Sequence, residues 1–219
     1  MTHPGIQTHI NLLNPQECFR IIETCKHFVE PSKIGRPDSS YIVNTETRRS
    51  KSVMINPMDD RFKSLQPLMQ KTVEAFIACT KLFFHYPVTH VEEIQFTEYI
   101  EGDFYDWHMD ASPSTPRFSS ASLCLSNFKD FQGGELSFRD MVDPDTEGEE
   151  PLSIKIQQGE LAVFPSLLVH SIKPITKGTR YALVLWAPYV DEETLNKSKE
   201  MPTKSETPLM PQGHNPIVF

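Results

Sequence analysis

A chain of 219 residues with 38% hydrophobic and 23% charged residues and a formal charge of −8 holds enough apolar material for one sizeable core and reads as an ordinary globular protein. The acidic balance, with no long basic run, excludes phosphate-backbone attraction as a main source of affinity, so DNA and RNA are not expected partners. No apolar stretch reaches the roughly 20 residues of a membrane helix, and the opening MTHPGIQTHINLL lacks the basic, apolar and small-residue segments of a secretory signal. No membrane association is therefore expected, and the expected compartment is the cytoplasm.

Asn14-Pro15-Gln16-Glu17 combines a capping residue, a proline at the first helical position and a glutamate at the third, followed by Cys18, Ile21, Ile22 and Cys25 at helical spacing. This predicts a helix over roughly 15–28. Residues 32–52 read as a long loop or irregular hairpin, of the kind that often covers a site. Arg48 and Arg49 within it are expected on a solvated face, with substrate contact as the alternative. A second helix is expected over 58–84, where Phe62, Leu65, Leu68, Val73, Phe76 and Ile77 form an apolar stripe that Pro67 interrupts or kinks.

From Val88 the texture changes to eight short β-rich runs, VTHVEEIQFTEYI, FYDWHMD, SSASLCLSN, GELSFRD, LSIKI, ELAVFP, LLVHSI and RYALVLWAPYV. Eight strands fit a jelly roll or related double-sheet barrel, with the two helices backing one sheet. The expected organisation is a single domain over 1–190, with a helical annex over about 1–87 and a mainly β core over about 88–190. Residues 191–219 form a polar, proline-containing tail expected to be extended or partly disordered. Cys18, Cys25, Cys79 and Cys124 have no Cys-x-x-Cys spacing and are expected as reduced, buried thiols.

His108 and Asp110 are two residues apart, so on extended backbone both leave the same face and can meet one ion. Chance alone supplies roughly 0.4 His-x-Asp pairs in a chain of this composition, so the pair needs support. His170 and Arg180 supply it. Two imidazoles and one carboxylate on one side of a metal leave three open positions, which suits Fe(II) oxygen chemistry. Ten residues after His170, Arg180 offers a planar fork that fits a carboxylate bidentately. A keto diacid held at both ends would suit the pair. The competing reading of Arg180 is that it balances a nearby acid. His27, His85 and His90 have no partner at ligand spacing and are read as structural.

The run from about Glu93 to Tyr189, a little under half the chain, resembles the prolyl 4-hydroxylase branch of the 2-oxoglutarate dioxygenases, including the bacterial PKHD-type hydroxylases. The matching pieces are Tyr99-x-x-Gly102-x-x-Tyr105-x-x-His108-x-Asp110, then Gly133-Gly134-Glu135-Leu136, then His170 with Arg180, and Trp186 near the end of its strand. The resemblance implies a double-stranded β-helix (jelly roll, cupin-like). It implies His108, Asp110 and His170 as ligands of Fe(II), with 2-oxoglutarate and O2 as co-substrates and ascorbate as a candidate reductant. Arg180 would anchor 2-oxoglutarate and Tyr99 would share in binding it. Tyr105, Arg117 and Trp186 match the residues that surround the target proline ring. Two positions depart from relatives in the branch: Cys124 stands where animal oxygen-sensing hydroxylases have a tyrosine, and Val184 replaces a threonine.

The implied activity is hydroxylation of an unactivated C–H bond, with release of succinate and CO2, on a prolyl residue of a peptide or protein. A free amino acid or small metabolite is the alternative substrate, and a non-catalytic metal-binding jelly roll is the non-enzymatic alternative. A nucleic-acid demethylase on the same scaffold is disfavoured, because Trp186 occupies the place of that family's second arginine. Tyr99 and Tyr105 as plain sheet aromatics, and Trp186 as a plain core residue, are the structural alternatives.

Overall fold

The computed structural model describes residues 5–9, 11–35, 40–142 and 150–190. The strand β1 (Gln7–His9) precedes α1 (Pro15–Cys25). This helix begins as its sequence dictates: the Asn14 side chain accepts from the Glu17 amide at 2.9 Å, and the Glu17 carboxylate accepts from the Asn14 amide at 2.8 Å. It stops at Cys25, three residues short of the expected end, where the Phe28 amide turns back to the Cys25 carbonyl.

Five very short strands follow, β2 (Glu30–Pro31), β3 (Ile34–Gly35), β4 (Tyr41–Ile42), β5 (Arg48–Arg49) and β6 (Lys51–Met54), of which β3, β4, β5 and the start of β6 fall in the segment read as a loop. The second helix, α2 (Gln66–Phe84), carries Pro67 in its first turn. Proline therefore starts this helix instead of kinking it, because the amide it lacks has no intrahelical partner there. A short 3-10 turn over Lys63–Leu65 replaces the helical start expected at 58. His85 closes α2 in the left-handed region, φ 52°.

The remaining strands are β7 (Ile94–Tyr99), β8 (Phe104–His108), β9 (Arg117–Cys124), β10 (Phe131–Gly133), β11 (Leu136–Val142), β12 (Pro151–Ile154), β13 (Leu161–Pro165), β14 (His170–Ile172), β15 (Ile175–Gly178) and β16 (Arg180–Pro188). All eight expected runs form strands, and the β10–β15 ribbon is added to them. A major sheet has the order β1-β13-β9-β16-β7-β6-β2, and a minor sheet the order β12-β11-β14-β8-β5. Every pairing among the described residues is antiparallel. The two sheets make the double-stranded β-helix core expected of the sequence. No described helix is long and apolar enough to cross a membrane.

Side-chain parity divides the major sheet into two faces. Ile94, Phe96, Ala121, Leu123, Leu161, Val163, Leu183 and Leu185 pack against Ile21, Met69, Val73 and Phe76 of the helices. Tyr99, Cys124, Ala162 and Phe164 point the other way, into a second core with Leu136, Phe138 and Ile172 of the minor sheet. The helices thus stiffen one face of the sheet whose other face lines the barrel interior. All four cysteines are free and buried. The expected tail, 191–219, lies outside the described residues, as do 36–39 of the expected loop.

Phe76 is fully buried between α2 and the major sheet, whereas Phe19 on α1 is 62% exposed. Phe76→Ala is expected to lower the unfolding free energy by about 3–5 kcal/mol in urea titration, and Phe19→Ala to change it by less than about 0.5 kcal/mol. Equal effects would contradict this placement of the core.

Candidate metal centre and its groove

Strands β8 and β14 are neighbours in the minor sheet, and their register puts His170 directly opposite His108. Asp110 follows the end of β8. Its amide donates to the Ser166 carbonyl at 3.0 Å and the Ala111 amide to the same oxygen at 3.2 Å, which fixes the turn that aims the carboxylate. His108 Nε2 lies 3.6 Å from Asp110 Oδ1, and His170 Nε2 lies 3.5 Å from Oδ2. His108 Nδ1 sits 2.7 Å from the Asp106 carbonyl and His170 Nδ1 2.8 Å from that of Leu168. A carbonyl only accepts, so each ring carries its proton on Nδ1 and turns the Nε2 lone pair toward the shared point.

The three donor atoms lie within 4.8 Å of one another, the one such group among the described residues. Their separations are too long for hydrogen bonds and suit donors arranged around a divalent ion. Burial pushes the Asp110 carboxyl up, but the His170 and His108 rings and the Ser120 hydroxyl outweigh it and hold it below the usual carboxylate range. Burial pushes His170 down to about 4, against the opposing pull of Asp110. His170 is therefore neutral at physiological pH and ready to ligate. Phe164 meets its ring edge-on at 4.8 Å, closing the site on that side.

Strict alternation would send Tyr105 and His108, three apart, to opposite faces of β8. The register against β14 slips instead: His108 pairs with His170 and Tyr105 with Ile172, so three steps on one strand match two on the other. This bulge brings both rings to one face. The Tyr105 ring stacks on His108 with centroids 3.5 Å apart. Burial pushes the Tyr105 phenol up to about 12, so it stays protonated.

Arg180 opens β16 directly opposite Tyr99 on β7, its guanidinium carbon 5.8 Å from the Tyr99 ring centre. It is 3% exposed, yet among the described residues no carboxylate pairs with it. The reading of Arg180 as the partner of a nearby acid therefore finds no support, and a buried cation in this position favours an incoming anion. Gly134, at φ +70°, makes the room: a Cβ there would stand 2.9 Å from Arg180 Cδ and 2.5 Å from Ile175 Cδ1. Cys124 is buried in the same interior core as Tyr99, and burial holds its thiol protonated.

A groove of about 950 Å³ runs past His108 and Asp110 and is lined by Tyr105, Arg117 and Trp186 among others. Arg117 Nε donates to Glu92 Oε2 at 2.8 Å while its guanidinium lies 4.1 Å over the Trp186 ring. Trp186 is 6% exposed, and its indole Nε1 is a buried donor with no partner among the described residues.

The structure brings His108, Asp110 and His170 to one point and sets Tyr105, Arg117 and Trp186 along the groove beside them, whereas Arg180, opposite Tyr99 of the interior core, lines a second cavity of about 490 Å³ with Gly133, Gly134 and Glu135. His27, His85 and His90 join no metal-binding group among the described residues. Arg48 corrects the sequence reading, being buried and lining the groove, whereas Arg49 is exposed as expected. The Arg48 partner Gln95 and the Arg117 partner Glu92 are two residues that sequence reasoning does not reach. Only strand register unites such residues, and no local spacing in the sequence marks them.

The sequence profile of the 2OG-Fe(II) oxygenase superfamily matches residues 94–188. A PKHD-type hydroxylase of Idiomarina loihiensis is 36% identical over 98 residues, covering 44% of this chain and 42% of that protein. One of Shewanella baltica is 37% identical over 97 residues, covering 42% and 40%. The chain thus spans about two fifths of the length of these curated relatives. Among solved structures, a Trichoplax adhaerens prolyl hydroxylase in complex with a hypoxia-inducible-factor peptide fragment has a TM-score of 0.68 at 18% identity, covering 89% of this chain and 87% of that one. A Pseudomonas putida prolyl-4-hydroxylase has 0.62 at 19%, covering 85% and 94%. At such identities the likeness establishes the fold.

The depressed pKa of His170 has a thermodynamic consequence for the metal-free protein. Between about 4 and the ordinary 6.5 the unfolded chain binds the proton and the folded one does not, so stability falls as pH drops through that window. Asp110 adds a further loss below it, because its carboxylate form is favoured by folding. The urea midpoint of metal-free protein is expected to fall from pH 7 to pH 4.5, and less steeply in His170→Leu. An identical slope in the two proteins would contradict this electrostatic description.

Proposed function

We propose, from the premise that residues 94–188 form a 2OG-Fe(II) oxygenase superfamily domain, that this chain is an Fe(II)- and 2-oxoglutarate-dependent dioxygenase. Its favoured target is a prolyl residue of a peptide or protein. One observation carries the reading. Two imidazoles and a carboxylate converge within 4.8 Å, and a buried guanidinium with no acidic partner among the described residues lies opposite Tyr99 of the interior core. A structural metal site has no use for that second feature.

In this reading His108, Asp110 and His170 would hold Fe(II), beside the groove that His108 and Asp110 line. Bound iron supplies dioxygen activation, coupled to the oxidative decarboxylation of 2-oxoglutarate to succinate and CO2. The protein binds, orients and excludes water. Arg180 clamps the far carboxylate of 2-oxoglutarate through its fork, and Tyr99 beside it shares that end. Tyr105 fixes the plane of the His108 ring by stacking and walls the groove. Trp186, capped by the Arg117 guanidinium, offers the groove an apolar face. The peptide bound to the Trichoplax prolyl hydroxylase supports a peptide target. Hydroxylation of a free amino acid or small metabolite is the second reading, favoured by the buried cation Arg48 in the groove.

The test is Fe(II)- and O2-dependent conversion of 2-oxoglutarate to succinate by the purified protein without added substrate. His108→Ala and Asp110→Ala are expected to reduce it by more than the ~10–100-fold typical of outer-shell partners of a metal. Arg180→Ala is expected to raise KM for 2-oxoglutarate by about 100-fold, with partial recovery in Arg180→Lys. Undiminished turnover in His108→Ala would overturn the reading.

A further inference from the structure

Strand β5 forms the edge of the minor sheet beside β8, and its register places Arg48 directly opposite Tyr105. The Arg48 guanidinium carbon lies 4.6 Å from the centre of the Tyr105 ring, and that ring in turn stacks on His108. Arg48 is 6% exposed. Its Nε donates to Ser50 Oγ at 2.9 Å and its Nη2 to Gln95 Oε1 at 2.9 Å, both neutral acceptors. Nη1 has no partner among the described residues, and it is not shut away from solvent like the orphaned Trp186 nitrogen.

The other arginines of the groove are neutralised by the protein itself. Arg61 pairs with Asp59 at 2.6 Å and Arg117 with Glu92 at 2.8 Å. Arg48 has no such carboxylate among the described residues. A buried cation held only by neutral groups costs desolvation that an anion would offset, and a planar fork with free N–H groups selects a carboxylate. A strap joining β5 to β7 through Gln95 needs neither the charge nor the third nitrogen.

We propose that Arg48 receives a carboxylate of the substrate, so that the molecule hydroxylated here bears an acidic group one aromatic ring away from the metal-binding imidazole. This inference rests on the dioxygenase reading and adds the substrate class to it. Two sources have the required chemistry, the α-carboxylate of a free amino acid and an acidic side chain flanking the target in a peptide.

Matched probes that differ only in that charge test it: L-proline against L-prolinamide, and acetyl-Ala-Pro-Glu-amide and acetyl-Glu-Pro-Ala-amide against their glutamine counterparts. The readout is succinate formation above the substrate-free rate at constant ionic strength. In the wild type, the charged member of at least one pair is expected to exceed its neutral partner by at least about tenfold, the worth of one charge-assisted hydrogen bond. The pair that responds identifies the source. Arg48→Met is expected to reduce the preference to within about twofold. Ser50→Asp, which leaves Arg48 in place and sets an internal carboxylate beside its Nε, is expected to do the same and guards against a folding defect in the first variant. Neutral members that serve as well, a preference that survives both variants, or no stimulation by any charged probe would each overturn the proposal. A wild-type protein that makes no succinate from 2-oxoglutarate under any condition counts instead against the dioxygenase reading.

Discussion

The antiparallel pairing of β8 with β14 is the constraint on which the site depends. It sets His170 opposite His108 across a single ladder position. The chain then turns at once, through the Ser166 carbonyl, to bring the Asp110 carboxylate between the two rings. Each imidazole is fixed in one tautomer by a backbone carbonyl two residues earlier, at Asp106 and Leu168. The sheet therefore supplies both the positions of the donor atoms and the state in which they can bind an ion. The major sheet, stiffened by α1 and α2, holds the opposite wall at a fixed distance.

Charge placement follows from the same scaffold. The barrel buries Arg180 on the major sheet and Arg48 at the edge of the minor one, each without an acidic partner among the described residues. Arg61 and Arg117, nearer the outside, are paired. A buried arginine without an internal carboxylate carries a desolvation cost that a visiting anion would offset. Under the proposed reading, one of these two buried cations would serve an anionic co-substrate and the other an acidic substrate.

Much of this was legible in the residues. The Asn14–Glu17 capping box announced α1, and the β-branched and aromatic runs after Val88 announced eight strands, because their periods extend over enough residues to stand out. Pro67 does not disclose its role in the sequence, because a proline looks the same in the first turn and in the middle of a helix until the start of the helix is known. The strands of 30–54 are two to four residues long, too short to leave a period, and their pairing is decided by partners far along the chain. The same limit hid Arg48, whose burial depends on β5 docking beside β8. The bulge in β8 reversed the parity that alternation assigns to Tyr105, and only register against β14 reveals it. His108, Asp110, His170 and Arg180 stood out because their chemistry is legible as a set even where no one of them is.

The most direct measurement of the central claim is anaerobic equilibrium dialysis of the metal-free protein against Fe(II). One iron per chain is expected for the wild type, with loss of that binding in both Asp110→Ala and His170→Ala although both remain folded by circular dichroism. Retention of one tightly bound iron in both variants would show that the ion is held elsewhere and would contradict the account.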